Sequence, residues 1–309
     1  MGDLMHALPA LTEAKEHIRN ISFDWVVDKN FASVPSWHPL VDKIITTDHR
    51  NWKRQFFSKD SRKSLRTVMN QINENKYDVV VDMQNNLKSS LISYLSNHDV
   101  VGMDAKSARE YPAHLAYFRK VFIDKKLHAI QRQKKLLAEA LGYQSNENHI
   151  DYGASYDSFT KPLIELPNKY FVLVQDASWP TKQWSVNKWK QLIKYLEDKN
   201  ISMLLPSGNL HEMKRAKEIC SISKMAQAID LMPLNEIAYI IKNADLCICS
   251  DTGLAHLSAL AGTSSVTLYG PTKPSLIGTI GINQRHLVGN KKDINQITVS
   301  DVINALEKK

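Results

Sequence analysis

The 309-residue chain has only three cysteines, Cys220, Cys247 and Cys249. Their odd number, with two alternating inside an apolar run, excludes a disulfide framework and points to reduced thiols packed in a core, the usage of a cytoplasmic protein. No uninterrupted apolar run reaches the roughly 18 residues that a membrane-spanning helix needs. Met1-Gly2-Asp3-Leu4 has no basic flank leading into an apolar stretch, so nothing there reads as a signal peptide. Gly-x-Gly-x-x-Gly and Walker A patterns are absent, which excludes a typical dehydrogenase and a P-loop kinase. There is also no Asp-x-Asp pair and no His/Cys cluster at metal-ligand spacing, so no metal is expected. With 43% hydrophobic and 23% charged residues and a net charge of +8, disorder and collagen-like repeats are excluded too.

What is present is alternation. Apolar β-type runs at Phe23-Asp24-Trp25-Val26-Val27, Lys43-Ile44-Ile45 and Tyr77-Asp78-Val79-Val80-Val81-Asp82 are separated by helical stretches, the signature of βαβ units with a parallel sheet. A polar stretch at Tyr152-Gly153-Ala154-Ser155-Tyr156-Asp157-Ser158 reads as a linker. Alternation resumes with Tyr170-Phe171-Val172-Leu173-Val174, Met203-Leu204-Leu205-Pro206 and Ala244-Asp245-Leu246-Cys247-Ile248-Cys249. At roughly 150 residues per domain, the length fits two doubly wound α/β domains, 1–155 and 156–309, facing each other across a cleft. In such folds ligands gather at the carboxyl ends of strands. The first half departs from the pattern at its start: residues 7–18 already read as helix, so the strand that normally opens such a domain is expected either to be absent or to lie ahead of a start site placed late.

Candidate chemistry lies at the strand ends. In Ser250-Asp251-Thr252-Gly253-Leu254-Ala255-His256 a strand gives way to a helix, whose N-terminus offers unpaired N–H groups and a positive dipole to an anion. Gly253 allows close approach, Thr252 adds a hydroxyl and His256 lies one turn in. Equally, Asp251 or Thr252 merely caps the helix and His256 packs. After Val174, the loop Gln175 to Trp184 carries Ser178 and Lys182, which suit a diphosphate, or else a solvated lysine beside core tryptophans. Glu212, in the loop and helix after Pro206-Ser207-Gly208, could hold ribose hydroxyls. Asp82-Met83-Gln84-Asn85-Asn86-Leu87-Lys88-Ser89 either presents polar groups to the same cleft or forms an Asx turn that caps the next helix. The stretch from Arg50 to Lys59, with Lys53 and Arg54, interleaves cations with Trp52, Phe56 and Phe57 and continues through Arg62, Lys63 and Arg66. It suits an anionic amphiphile at a membrane surface, a solvated helix face, or single-stranded nucleic acid, although no nucleic-acid-binding module is recognisable.

Several of these segments together resemble the lipopolysaccharide heptosyltransferases, glycosyltransferase family 9. They are Met1-Gly2-Asp3 before Leu8-Pro9-Ala10-Leu11, Asp82-x-Gln84, Ser250 to His256, and Tyr269-Gly270-Pro271-Thr272. Phe23 to Val27, Pro35-Ser36-Trp37-His38, Ala108-Arg109-Glu110 and His128-Ala129 resemble the branch that adds the first heptose to Kdo. The resemblance implies a GT-B fold and an inverting, metal-independent transfer of L-glycero-D-manno-heptose from ADP-heptose to Kdo2-lipid A, with no cofactor. The enzyme would work peripherally at the cytoplasmic face of the inner membrane, with no nucleic-acid partner. Asp3 matches the catalytic base. Lys182 and the Thr252/Gly253 helix start match the groups that hold the diphosphate, with Ser178, Asp251 and His256 beside them. Glu212 and Met232 match positions lining the nucleoside pocket. Arg50, Lys53, Arg54 and Arg109 fall where acceptor phosphates and carboxylates dock. The family pattern differs here at Asn85-Asn86, where Gly-Leu is frequent, and at Ala177-Ser178, where relatives carry two threonines. The competing expectations are a second-heptose enzyme of the same family, a non-catalytic lipid A-binding homologue, and a nucleotide-sugar epimerase.

Overall fold

The computed structural model describes residues 1–54 and 58–307, with Arg50, Lys53 and Arg54 described by their backbone alone. It divides into two compact units, one ending at Ser155 and the other beginning at Tyr156.

The first unit opens with helix α1 (Gly2–His17), which buries Met5, Ala7, Leu8, Ala10, Leu11 and Ala14. Strands β1 (Phe23–Asp28) and β2 (Val41–Thr47) pair in parallel, and helix α2 (Lys59–Asn73) packs on β2 through Val68, Met69 and Ile72. Strand β3 (Val80–Val81), helix α3 (Leu87–Leu95), β4 (Val100–Met103), β5 (Arg119–Val121) and helix α4 (Ala129–Leu141) follow, with β3, β4 and β5 in a second parallel sheet. α4 stops at Gly142, whose φ of 81° is the left-handed geometry that glycine caps adopt without a Cβ penalty.

Among the described residues the unit's five strands therefore form a two-stranded and a three-stranded sheet, and β1 and β3 each leave one edge unpaired. Between those edges lies a cavity of about 440 Å³, lined by Phe23, Trp25 and Val27 on one side and Val79 and Val81 on the other. This explains why the run Tyr77 to Asp82 yields a strand of only two residues: its pairing comes from β4 alone. The two sheets are tied near their amino ends, where the Tyr77 hydroxyl (2.7 Å) and Asn75 Nδ2 (3.1 Å) both donate to Asp24 Oδ2. Elsewhere in the unit Lys134 and Glu13, both almost fully buried, form an ion pair at 3.3 Å. The Ser145 hydroxyl and the Asn146 N–H also donate to that Glu13 carboxylate.

The second unit holds a six-stranded parallel sheet: β6 (Tyr170–Val174), β7 (Ser202–Leu205), β8 (Ala226–Ala228), β9 (Leu246–Ser250), β10 (Ser265–Tyr269) and β11 (Gln284–Val288). The spatial order is β11-β10-β9-β6-β7-β8. Helices α5 (Val186–Asp198), α6 (Leu210–Cys220), α7 (Leu234–Lys242), α8 (Gly253–Leu260) and α9 (Val299–Glu307) connect the strands or close the chain. The four inner strands β6, β7, β9 and β10 read as largely apolar runs because a parallel sheet is covered on both faces. Trp184 and Trp189 are fully buried edge-to-face at 5.2 Å, the core placement open for them from sequence. Cys247 and Cys249 are buried free thiols in β9. Among the described residues no helix is long and apolar enough to cross a membrane.

Candidate functional site

In the second unit the chain runs outward from β6 through β7 to β8, then returns to β9 on the other side of β6 and runs outward again. The carboxyl ends of β6 and β9 thus flank a topological switch point, where doubly wound sheets open a ligand crevice. The loops leaving these two strands meet there. Lys182, on the loop after β6, donates from Nζ to Asp251 Oδ2 at 2.6 Å, on the loop after β9. Asp251 is buried and Lys182 partly exposed, so the carboxylate anchors an ammonium whose remaining donors face outward.

The loop carrying Lys182 is tightly held. Asp176 Oδ1 accepts from Gln183 Nε2 and the Ala177 N–H, each at 2.6 Å. From α6, Arg215 donates Nε to Gln175 Oε1 at 2.7 Å and Nη2 to the Trp184 carbonyl at 2.6 Å, with Nε 3.9 Å from Asp176 Oδ2. Sequence reasoning missed Asp176 and Arg215, because their partners come from neighbouring strands and helices rather than from any local spacing.

α8 begins immediately after this anchor. Thr252 holds the N-cap position, yet its hydroxyl makes no capping bond, and Asp251 spends its carboxylate on Lys182. Neither side chain serves as the simple helix cap that the sequence left open. Buried Thr252 Oγ1, Ser250 Oγ and Ser207 Oγ, at the carboxyl ends of β9 and β7, have no hydrogen-bond partner among the described residues. Buried hydroxyls left unpaired are costly, so this rim suits a ligand rich in acceptors. His256 lies one turn into α8 and is buried; Gly253 is half-buried at the helix start, and Ser178 is exposed on the β6 loop. The Glu212 carboxylate accepts from the Gly208 N–H (2.7 Å) and Asn209 Nδ2 (2.6 Å), one on each oxygen, a local cap of α6 that leaves a further lone pair on each oxygen for ribose hydroxyls. Met232 is half-buried in the segment between β8 and α7.

In the first unit Asp3 lies in the first turn of α1 and its Oδ2 accepts from Arg109 Nη1. Burial pushes the Asp3 carboxyl up, but the Arg109 guanidinium, helped by His6 and the amino terminus, outweighs it and holds the group below the usual carboxylate range. Both side chains remain about half exposed. Arg109 is placed by the segment after β3: its N–H and that of Glu110 donate to the Asn85 carbonyl. That segment is structural. Buried Asp82 accepts from the Gln84 and Asn85 N–H groups and from the Tyr117 hydroxyl, and Asn86 caps α3 through the Lys88 and Ser89 N–H groups. Asn85 has a φ of 52°, left-handed geometry that asparagine adopts more readily than most residues.

The basic stretch is only partly described. Arg50, Lys53 and Arg54 belong to the helix His49–Arg54, but their side chains, like Phe56 and Phe57, lie outside the described residues. Trp52 corrects the sequence reading: it is buried against Ile45, Val68, Met69 and Ile72, with its indole N–H on Ser64 Oγ, and offers no face to an amphiphile. No group of three metal-ligating side chains occurs among the described residues.

The family model for glycosyltransferase family 9 (heptosyltransferase) matches residues 65–303. The chain is 36% identical to lipopolysaccharide heptosyltransferase 1 of Escherichia coli O18:K1:H7 (strain RS218 / NMEC), over 99% of this chain and 94% of that protein. Among solved structures, E. coli heptosyltransferase WaaC with ADP matches at a TM-score of 0.91 and 34% identity, covering 99% of this chain and 96% of that one. WaaC with ADP-2-deoxy-2-fluoro heptose matches at 0.87 and 34% identity, with the same coverage of both chains. The parallel α/β architecture, the switch-point site and these matches lead to one conclusion: the chain belongs to glycosyltransferase family 9, the heptosyltransferases, and is a glycosyltransferase.

Proposed function

We propose that the protein transfers L-glycero-D-manno-heptose from ADP-heptose to Kdo2-lipid A, with inversion and without a metal, at the cytoplasmic face of the inner membrane. The observation that carries the reading is Lys182 held by Asp251 over the start of α8 at the switch point, a cationic and N–H-rich cradle for a diphosphate. The relatives' names specify heptose transfer in lipopolysaccharide synthesis, and WaaC has been solved with ADP and with an ADP-heptose analogue.

In this reading the second unit binds the donor. Lys182, Ser178, Thr252 and the N–H groups at Gly253 take the diphosphate, while His256 and Asp251 shape the cradle. Met232 and Glu212 line the nucleoside pocket. The first unit supplies Asp3 and, through Arg109 with Arg50, Lys53 and Arg54, the acceptor contacts. Ionised Asp3 accepts the proton of the attacking Kdo hydroxyl as that oxygen bonds to the anomeric carbon. The bond from that carbon to the β-phosphate oxygen breaks, and the electron pair leaves with ADP, whose growing charge is met by Lys182 and the helix start. Attack opposite the leaving group inverts the anomeric centre.

The test is product mass after incubation with ADP-heptose and Kdo2-lipid A in EDTA. One added heptose supports the proposal; transfer only to an acceptor already bearing one heptose assigns the second-heptose activity instead. Acceptor binding without product would refute the proposed transfer.

A further inference from the structure

Helix α3 is inside out. Its buried face carries Ser90 and Ile92, with Ser89 and Ser93 partly covered, whereas Leu87, Leu91, Tyr94 and Leu95 point to solvent. A surface helix ordinarily turns its apolar stripe inward. The segment beside it repeats the inversion. α3 packs against the turn Ala113–Ala116, which leads into β5. There Tyr117 and Ile123 are buried, while Tyr111, Leu115, Phe118 and Phe122 are 64–77% exposed. The outward side of this strand therefore carries Phe118 and Phe122 with Lys120 between them, two large aromatic side chains where a solvated edge would be polar throughout. Isolated exposed apolar residues need no explanation, but a cluster spread over two adjoining elements marks an interaction surface.

The charges around it identify the partner. Residues 87–126 contain seven Lys and Arg against four Asp and Glu. The exposed cations Lys88, Lys120, Lys125 and Lys126 adjoin the apolar residues along the chain, while Arg119 donates to the Glu139 carbonyl; of the exposed acids beside them, Glu110 accepts from the Leu87 N–H and Asp124 from the Lys126 N–H. Aromatic and leucine side chains among exposed lysines match the interfacial zone of an anionic bilayer, with apolar groups below the headgroups and cations at the phosphates.

We infer that α3, the turn Ala113–Ala116 and the Phe118–Phe122 segment form a membrane-docking face that seats the first unit on an anionic lipid surface. The inference rests on the reading that the acceptor is membrane-borne, and it moves the bilayer contact away from the stretch Arg50 to Lys59, where Trp52 is consumed by the core. The face tethers the unit while Arg109, in the connection between β4 and β5, stays near the lipid plane where an acceptor headgroup stands.

The test uses the whole chain and vesicles free of acceptor: phosphatidylcholine alone, and phosphatidylcholine with phosphatidylglycerol. Co-sedimentation is expected with the anionic vesicles and to be weak with the neutral ones. The triple variant Leu115→Ser, Phe118→Ser, Phe122→Ser should lose binding by about 30-fold or more, since three interfacial anchors are removed. Its unfolding midpoint should be unchanged, because all three side chains are exposed. Transfer to a deacylated, soluble Kdo acceptor reports catalysis separately and should be retained. The proposal is overturned if the wild type ignores anionic vesicles, if the folded triple variant binds them equally, or if the substitutions instead dissolve a dimer of the chain. Failure of transfer to the soluble acceptor by the wild type refutes the enzymatic reading without touching the vesicle result.

Discussion

Replacing Lys182 by alanine removes the ammonium that Asp251 holds at 2.6 Å over the start of α8. Two effects act on ADP in the same direction. The diphosphate loses one charge-assisted contact, about 1.5–3 kcal/mol for a bond to a charged group. The Asp251 carboxylate, only 4% exposed, is left without its cation beside an incoming dianion. The combined loss therefore falls at the upper end, about 2–3 kcal/mol, or ~30–150-fold in Kd. Adding Asp251→Asn to Lys182→Ala deletes the stranded charge, so the double variant should bind ADP more tightly than Lys182→Ala alone, by about 1 kcal/mol, with clear non-additivity. Calorimetric titration of ADP at fixed salt measures the wild type, Lys182→Ala, Asp251→Asn and the double variant. If Lys182→Ala binds within twofold of the wild type, or the double variant is weaker by the full sum of the single losses, the cradle at the switch point does not hold the diphosphate.

Three further outcomes follow from the first unit. Arg109→Gln leaves burial as the main influence on Asp3, so the carboxyl moves from below its ordinary 3.8 to above it. The acid limb of the pH–rate profile should shift upward in pH, and an unmoved limb would separate Arg109 from the base. In the wild type the same depressed carboxyl contributes stability above the unfolded-state value, which is lost as pH falls through the folded one. Lys134→Ala strands buried Glu13 and should cost about 3–5 kcal/mol in urea unfolding; a loss under 1 kcal/mol would show that water reaches the pair. A β-type segment of about six residues fused ahead of Met1 can fill the 440 Å³ cavity and pair the free edges of β1 and β3, raising the thermal midpoint by several degrees. An unchanged midpoint would mean that the cavity does not accept a strand.

Much of the fold is legible wherever burial on both faces writes itself as an apolar run. Tyr170–Val174 and Leu246–Ser250 stand out because both faces of their sheet are covered. Strands Ala226–Ala228 and Arg119–Val121 carry no such run, since they are three residues long and lie at sheet edges, and sequence reasoning passes over them. Within the site, Lys182 and Asp251 could each be singled out as chemistry at a strand end, but their pairing spans 69 residues and exists only because β6 and β9 are neighbours. Arg215 looks like any surface cation of an amphipathic helix until α6 brings it over Gln175. Leu87, Leu91 and Leu95 have the spacing of a core-facing stripe, and nothing local shows that the helix is turned outward. The pairing of Asp3 with Arg109 likewise joins residues 106 apart.

The measurement that bears most directly on the proposed transfer is the turnover of Asp3→Asn alongside its ADP affinity. The account predicts a fall of about 10²–10⁴-fold in heptosyl transfer, the range for losing a general base, with the Kd for ADP within twofold of the wild type because donor contacts lie in the second unit. Transfer retained at a tenth of the wild-type rate or more would contradict it.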